Sequence, residues 1–216
     1  LMIFSMKFRH ITTLFLAILI TIQVKAQDPQ RFANEVEEIT SKETVVFTGS
    51  SSVRMWKDVQ SYFPSVYAIN SGFGGSHYSD LLYYQKELIF DFNPDRVFIY
   101  EGDNDIADKE APEDILLEAK ELIANIKANL PDTKIYIISP KPSISRWNLH
   151  KEYESLNALL EEYCAATDGV TYVDVWNPML NKDGEPMKDI FIEDNLHMNK
   201  KGYDIWGSVV GKFIED

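Results

Sequence analysis

Val45-Val46-Phe47-Thr48-Gly49-Ser50-Ser51-Ser52 is an apolar run rich in β-formers that stops abruptly at a glycine and three hydroxyl side chains. It reads as a buried strand that delivers a serine to the mouth of a sheet. A serine hydroxyl is a weak nucleophile at neutral pH. The stretch therefore carries chemistry only if a base, an orienting carboxylate and oxyanion donors lie elsewhere in the chain.

Further apolar runs follow at residues 66–69, 96–100, 134–139 and 170–173. Between them lie stretches with helical periodicity. Ile115, Leu116, Ala119, Leu122, Ile123, Ile126 and Leu130 fall on one stripe, and Tyr153, Leu156, Leu159, Leu160, Tyr163 and Cys164 on another. A last helix is predicted from near Lys201, with Tyr203, Trp206, Val209, Val210 and Phe213 on its apolar face. Strands alternating with helices of this length need right-handed crossovers and a parallel sheet covered on both faces. In such a sheet ligands bind beyond the carboxyl ends of the strands. The residues expected there are Gly49-Ser50-Ser51-Ser52, the loop from Asn70 to Gly75, Glu101 to Asp105, and the segment from Pro140. Asp194-Asn195-Leu196-His197, just before the last helix, is free to fold onto the same rim.

The opening segment is read separately. Lys7, Arg9 and His10 form a basic start, residues 11–24 are largely apolar, and Val24-Lys25-Ala26 suits signal-peptidase cleavage. The apolar core of about 14 residues falls short of the roughly 20 that span a bilayer. Residues 1–26 are expected to be a cleaved signal peptide, residues 27–216 a single catalytic domain, and the product exported, with no stable membrane insertion. Phe32, Val36 and Ile39 suggest a short helix at the domain edge. Removing the signal removes Lys7, Arg9 and Lys25 but no acid, taking the net charge from −13 to −16. Scattered basic residues in that excess of acid argue against a nucleic-acid partner. Cys164 is the only cysteine, which excludes an internal disulfide, and its apolar neighbours read as core. Asp103-Asn104-Asp105 lacks the glycine and distal glutamate of a calcium loop, so no metal site is expected.

Ser51, at a strand-to-helix turn, can project its hydroxyl while its own N–H joins the helix N-terminus, where negative charge is favoured. His197 is the candidate base. Asp194, three residues earlier, can accept its Nδ1–H and leave Nε2 to take the serine proton. Gly75 would supply a second backbone donor and Asn104 a third through its side-chain amide. Losing one such donor usually costs on the order of 3 kcal/mol in the barrier.

Gly49-Ser50-Ser51, Gly75 in Phe73-Gly74-Gly75-Ser76, Asn104 in Gly102-Asp103-Asn104-Asp105, and Asp194 to His197 resemble, in that order, the four blocks of the SGNH (GDSL-type) hydrolase superfamily. The similarity spans residues 44–212. It implies a three-layer α/β/α, flavodoxin-like fold with a five-stranded parallel sheet, and esterase or acylhydrolase activity without a cofactor. By matching position it assigns Ser51 as nucleophile, Ser51, Gly75 and Asn104 as oxyanion donors, and Asp194 with His197 as the rest of the triad. One departure stands: the family's first block usually reads Gly-Asp-Ser, and here Ser50 replaces the aspartate. Ser51 is chosen among the three adjacent serines because it keeps the glycine-plus-two spacing.

Trp147, Arg54 and His77 are the candidates for substrate contact. Trp147 is expected to face the cleft and stack on a sugar. Trp56 reads equally as rim or core, and Trp176 as packing beneath the loop that leads to Asp194. Glu101 and Asp103 are expected to be solvated loop acids, the alternative being a carboxylate beside the site that orients Asn104 or repels anionic substrates. The expected substrate is a small-molecule ester of a short acyl group, with an acetylated carbohydrate favoured. The alternatives are a lipase or thioesterase for longer chains, and a lapsed sugar-binding module on the same scaffold.

Overall fold

The computed structural model describes residues 42–215. The signal segment 1–26 and the short helix around Phe32, Val36 and Ile39 lie outside the described residues.

The strands are β1 (Thr44–Gly49), β2 (Tyr67–Asn70), β3 (Arg96–Tyr100), β4 (Lys134–Ile138) and β5 (Val170–Val173). They form one parallel sheet in the order β2-β1-β3-β4-β5. Alternate residues on each strand enter different cores. Val45, Phe47, Phe98, Tyr100, Tyr136 and Ile138 face one side, and Val46, Val97, Ile99, Ile135 and Ile137 face the other. Because both faces are buried, the strands read as continuous apolar runs rather than alternating ones.

The helices are α1 (Ser51–Arg54), α2 (Val59–Tyr62), α3 (Tyr78–Leu88), α4 (Asp103–Ala107), α5 (Pro112–Asn129), α6 (His150–Ala165) and α7 (Lys200–Gly211). The first side of the sheet is covered by Val53 of α1, Val59 of α2, and Tyr203, Trp206, Val209 and Val210 of α7. The second is covered by Tyr78 and Leu81 of α3 and by the expected stripes of α5 and α6. Cys164 is buried in that second core. Trp56 is also core: it stacks 5.7 Å from Tyr203 and meets Phe47 edge-on at 5.6 Å.

β2 and β4 differ from the expected runs. Val66 donates its N–H to Phe63 O and belongs to the preceding turn, so β2 starts at Tyr67 and runs to Asn70. β4 ends at Ile138, and the Ser139 hydroxyl accepts the N–H groups of Val175 and Trp176. The strand order makes the chain leave β1 and β3 toward opposite faces of the sheet. A crevice opens where connections diverge in this way.

Candidate active site

Gly49, the last residue of β1, has φ of +130°. A Cβ there would lie 2.0 Å from the Tyr100 carbonyl oxygen, so only glycine lets β1 end this close to β3. Ser50 then donates its N–H to Tyr100 O at 3.2 Å, and the chain turns into α1 at Ser51. Of the three adjacent serines, Ser50 and Ser52 are buried. Ser51 is half-buried and reaches the histidine.

That histidine arrives on a turn before α7. Ile192 N–H donates to His197 O at 2.9 Å and Asn195 N–H to Ile192 O at 3.0 Å, with Asn195 left-handed at φ of 57°. Asp194 Oδ1 accepts the N–H groups of Leu196 and His197, each at 2.9 Å. Its Oδ2 is 2.5 Å from His197 Nδ1, and His197 Nε2 is 2.9 Å from Ser51 Oγ, a partner 146 positions away in sequence. Desolvation opposes the charge on Asp194. The hydrogen bonds from the His197 ring and the His197 and Leu196 N–H groups outweigh it and hold the carboxyl down to about 2. The carboxylate is therefore ionised throughout the range in which histidine titrates, and it fixes Nδ1 as the protonated nitrogen.

Asn70 and β1 hold the glycine loop after β2. Gly72 donates to Asn70 Oδ1 at 3.1 Å, and Phe73 donates its N–H to Gly49 O at 2.8 Å. Gly75 has φ of +79°, and its N–H has no acceptor among the described residues. On the other side of the crevice, Asn104 donates through Nδ2 to Ser76 O at 2.9 Å, while Oδ1 accepts from Arg146 Nη2 at 3.1 Å. An amide whose oxygen is held by a guanidinium cannot flip, so its NH2 group faces the glycine loop and keeps one hydrogen free.

Glu101 and Asp103 are not solvated loop acids: both are buried. Asp103 lies beneath the site, with Lys141 Nζ at 3.2 Å, Arg146 Nη1 at 2.6 Å, Tyr100 OH at 2.7 Å and Tyr153 OH at 2.5 Å. Burial opposes its charge, but Lys141 and Arg146, with the two tyrosines, hold its carboxyl well below the usual range. Glu101 is the opposite case. Burial pushes it well above the usual range against the Ser76 hydrogen bond, and neighbouring Asp105 and Asp103 add to this. It bonds the Ser76 hydroxyl, which in turn donates to Phe73 O at 3.3 Å and braces the glycine loop. Sequence reasoning missed Lys141, Arg146, Ser76 and Tyr153. A lysine between two prolines, in Pro140-Lys141-Pro142, was the available signal, because a rigid segment beyond a strand end can hold a buried cation.

The three candidates for substrate contact fare differently. Arg54 is exposed and forms no ion pair among the described residues; its guanidinium covers Gly74, where a Cβ would lie 3.5 Å from Cζ. His77 is occupied, with Nε2 2.9 Å from Asp108 and Nδ1 3.6 Å from Asp80. Trp147 stacks on His150 at 4.9 Å and on Trp176 at 5.8 Å, and with them lines a small pocket beside Lys141, Arg146 and Tyr153. The rings beside the glycine loop are instead Phe73, Tyr84 at 6.2 Å from it, and Tyr83 at 4.7 Å from Tyr84. Tyr83 and Tyr84 are exposed. No helix among the described residues is long and apolar enough to cross a membrane.

The model of the GDSL-like lipase/acylhydrolase family matches residues 39–205. A GDSL-like lipase from Bacteroides thetaiotaomicron superposes with a TM-score of 0.71 at 22% identity, over 86% of this chain and 96% of that one. An acetylxylan esterase from Geobacillus stearothermophilus superposes with a TM-score of 0.66 at 15% identity, over 81% and 94%. At these identities the likeness is one of fold. An N-acylneuraminate cytidylyltransferase of Escherichia coli is 25% identical over 189 residues, which cover 86% of this chain but only 43% of that protein.

Proposed function

This chain belongs to the GDSL-like lipase/acylhydrolase family of ester-hydrolysing enzymes, and from that premise we propose that it is an exported serine esterase that removes a small acyl group, acetyl foremost, from a carbohydrate. The observation that carries the reading is the continuous hydrogen-bonded line from Ser51 Oγ through His197 to Asp194.

Ser51 Oγ attacks the ester carbonyl and passes its proton to His197 Nε2, while Asp194 stabilises the imidazolium. The oxyanion is received by the N–H groups of Ser51 and Gly75 and by the free Asn104 Nδ2 hydrogen. Collapse of the tetrahedral species breaks the bond to the alcohol, which leaves with the proton from His197. Water, deprotonated by the same nitrogen, then releases the acid and restores Ser51. Arg146 acts through Asn104, holding the amide in its donating orientation.

The carbohydrate reading rests on the rim. The His197 and Asp194 side chains are 21% and 42% exposed, an openness that suits a bulky alcohol better than an enclosed acyl chain. Phe73, Tyr84 and Tyr83 offer ring faces on which a sugar can stack. Arg54, with no ion-pair partner among the described residues, would attract a substrate bearing a carboxylate. The basic and apolar segment ending at Ala26 supports export with cleavage there.

Rates on a nitrophenyl ester series test the reading. Activity falling from acetyl to longer acyl groups, and lost by at least about a thousandfold in Ser51→Ala, is expected. Rates rising with chain length would make it a lipase or thioesterase, and full activity in Ser51→Ala would remove the nucleophile.

A further inference from the structure

The cluster outside the catalytic line with the most unspent chemistry is acidic. Asp105, Glu110 and Glu118 each offer one carboxylate oxygen, and these atoms lie within 4.8 Å of one another. No two of the three residues are adjacent in sequence. Asp105 lies on α4, Glu110 precedes α5, and Glu118 lies within α5. The chain returns from α4 through Lys109, a left-handed residue at φ of 69°, so that Glu110 N–H reaches Asp105 O at 3.0 Å.

Asp105 is fully buried. Its Oδ1 accepts the Tyr78 N–H at 3.0 Å, but its Oδ2 has no hydrogen-bond partner among the described residues. Glu118 lies against the Ser79 N–H, and its buried Oε2 has no hydrogen-bond partner among the described residues. Buried carboxylate oxygens without donors are rare, because each forfeits its hydration without replacement. None of the three acids forms a salt bridge among the described residues. The nearest titratable cation, His77, contacts Asp80 and Asp108, and a protonated ring would offset part of the charge on Asp105 and Glu118 without contacting either. Three carboxylates thus converge on a point that no described lysine or arginine neutralises by an ion pair. Burial pushes the carboxyls of Asp105 and Glu118 above their usual range; repulsion from Glu110 adds to both, while backbone N–H groups and His77 oppose it.

We propose that Asp105, Glu110 and Glu118 bind a calcium ion. Calcium takes oxygen ligands at about 2.3–2.6 Å, so ligands across it are separated by about the span seen here, and water or bidentate carboxylates complete the shell. The Lys109 turn is what brings Glu110 back beside Asp105. The ion would join three segments of the site's scaffold. These are α4, which carries Asn104 next to Asp105, the start of α3 through Tyr78 and Ser79, and α5 through Glu118. Its role is to hold the asparagine arm of the crevice against the helix that follows the glycine loop; it takes no part in the reaction steps.

The whole chain, stripped with EDTA, is titrated with calcium chloride in a calorimeter and melted with and without the ion. One calcium per chain is expected, with a rise in Tm of about 5–10 °C at a hundredfold excess over the dissociation constant. Magnesium should bind more weakly, since it favours fewer carboxylates and keeps its waters. In Glu118→Gln the calcium response should vanish. In EDTA that variant should melt at or above the parent's temperature, because a repelling charge is gone. Glu110→Gln, at a more accessible position, serves as the second variant should Glu118→Gln not fold. No heat and no shift in the parent, or an unchanged response in the variants, overturns the proposal.

Discussion

At the scale of single residues, Asp194 separates folding from chemistry. Its Oδ1 holds the turn through two backbone N–H groups, and its Oδ2 holds the histidine tautomer. Asp194→Asn can keep the first role and not the second. Its Tm is expected to stay within about 2 °C of the parent, while kcat on nitrophenyl acetate drops by about three to four orders of magnitude. A fall of less than tenfold would mean that the carboxylate does not orient the base. Asp194 and His197 were legible in the sequence because three residues of spacing suffice for one turn to bring the carboxylate to the ring. Glu101 and Asp103 were misread for the converse reason. Both look like loop acids in Glu101-Gly102-Asp103, and what buries them arrives from Ser76, Lys141, Arg146 and Tyr153, none of which is a sequence neighbour.

At the scale of elements, the end of β1 is set by one glycine. Gly49→Ala would drive a methyl into the Tyr100 carbonyl, a backbone atom that cannot yield without separating β1 from β3. A loss of at least about 3 kcal/mol by urea unfolding is expected. Gly75→Ala is the control: φ is +79° there but nothing lies within 4 Å of the added Cβ, so its cost should be about 1 kcal/mol. Equal costs would show that φ alone, and not the close approach of the strands, sets the requirement at Gly49. The apolar runs and stripes located these elements well, because burial on both sheet faces imposes a pattern that local sequence records. Trp147 escaped that logic. An aromatic beside a proline-rich loop reads the same whether it faces a cleft or, as here, stacks on Trp176.

At the scale of the whole molecule, two buried carboxyls next to the crevice shape stability in opposite senses. Asp103 has a lowered folded-state pKa, so its contribution is complete above the ordinary aspartate range and is lost as pH falls below it. Glu101 has a raised folded-state pKa, so the stability it lends is complete below the ordinary glutamate range and declines as pH rises above it. Glu101→Gln removes that decline. Its Tm should match the parent near pH 4 and exceed it at pH 8, each tenfold change in proton affinity being about 1.4 kcal/mol, or about 3–5 °C in a chain of this size. A variant less stable than the parent at pH 8 would mean that Glu101 is ionised in the folded protein. Assembly at this scale also produces the candidate site, since Ser51 and His197 meet across 146 positions of sequence. Fluorophosphonate labelling followed by peptide mass spectrometry tests that meeting most directly. One label per chain on Ser51, lost in His197→Ala, is predicted; a parent that takes no label, or takes it on Ser50 or Ser52, would contradict the assignment.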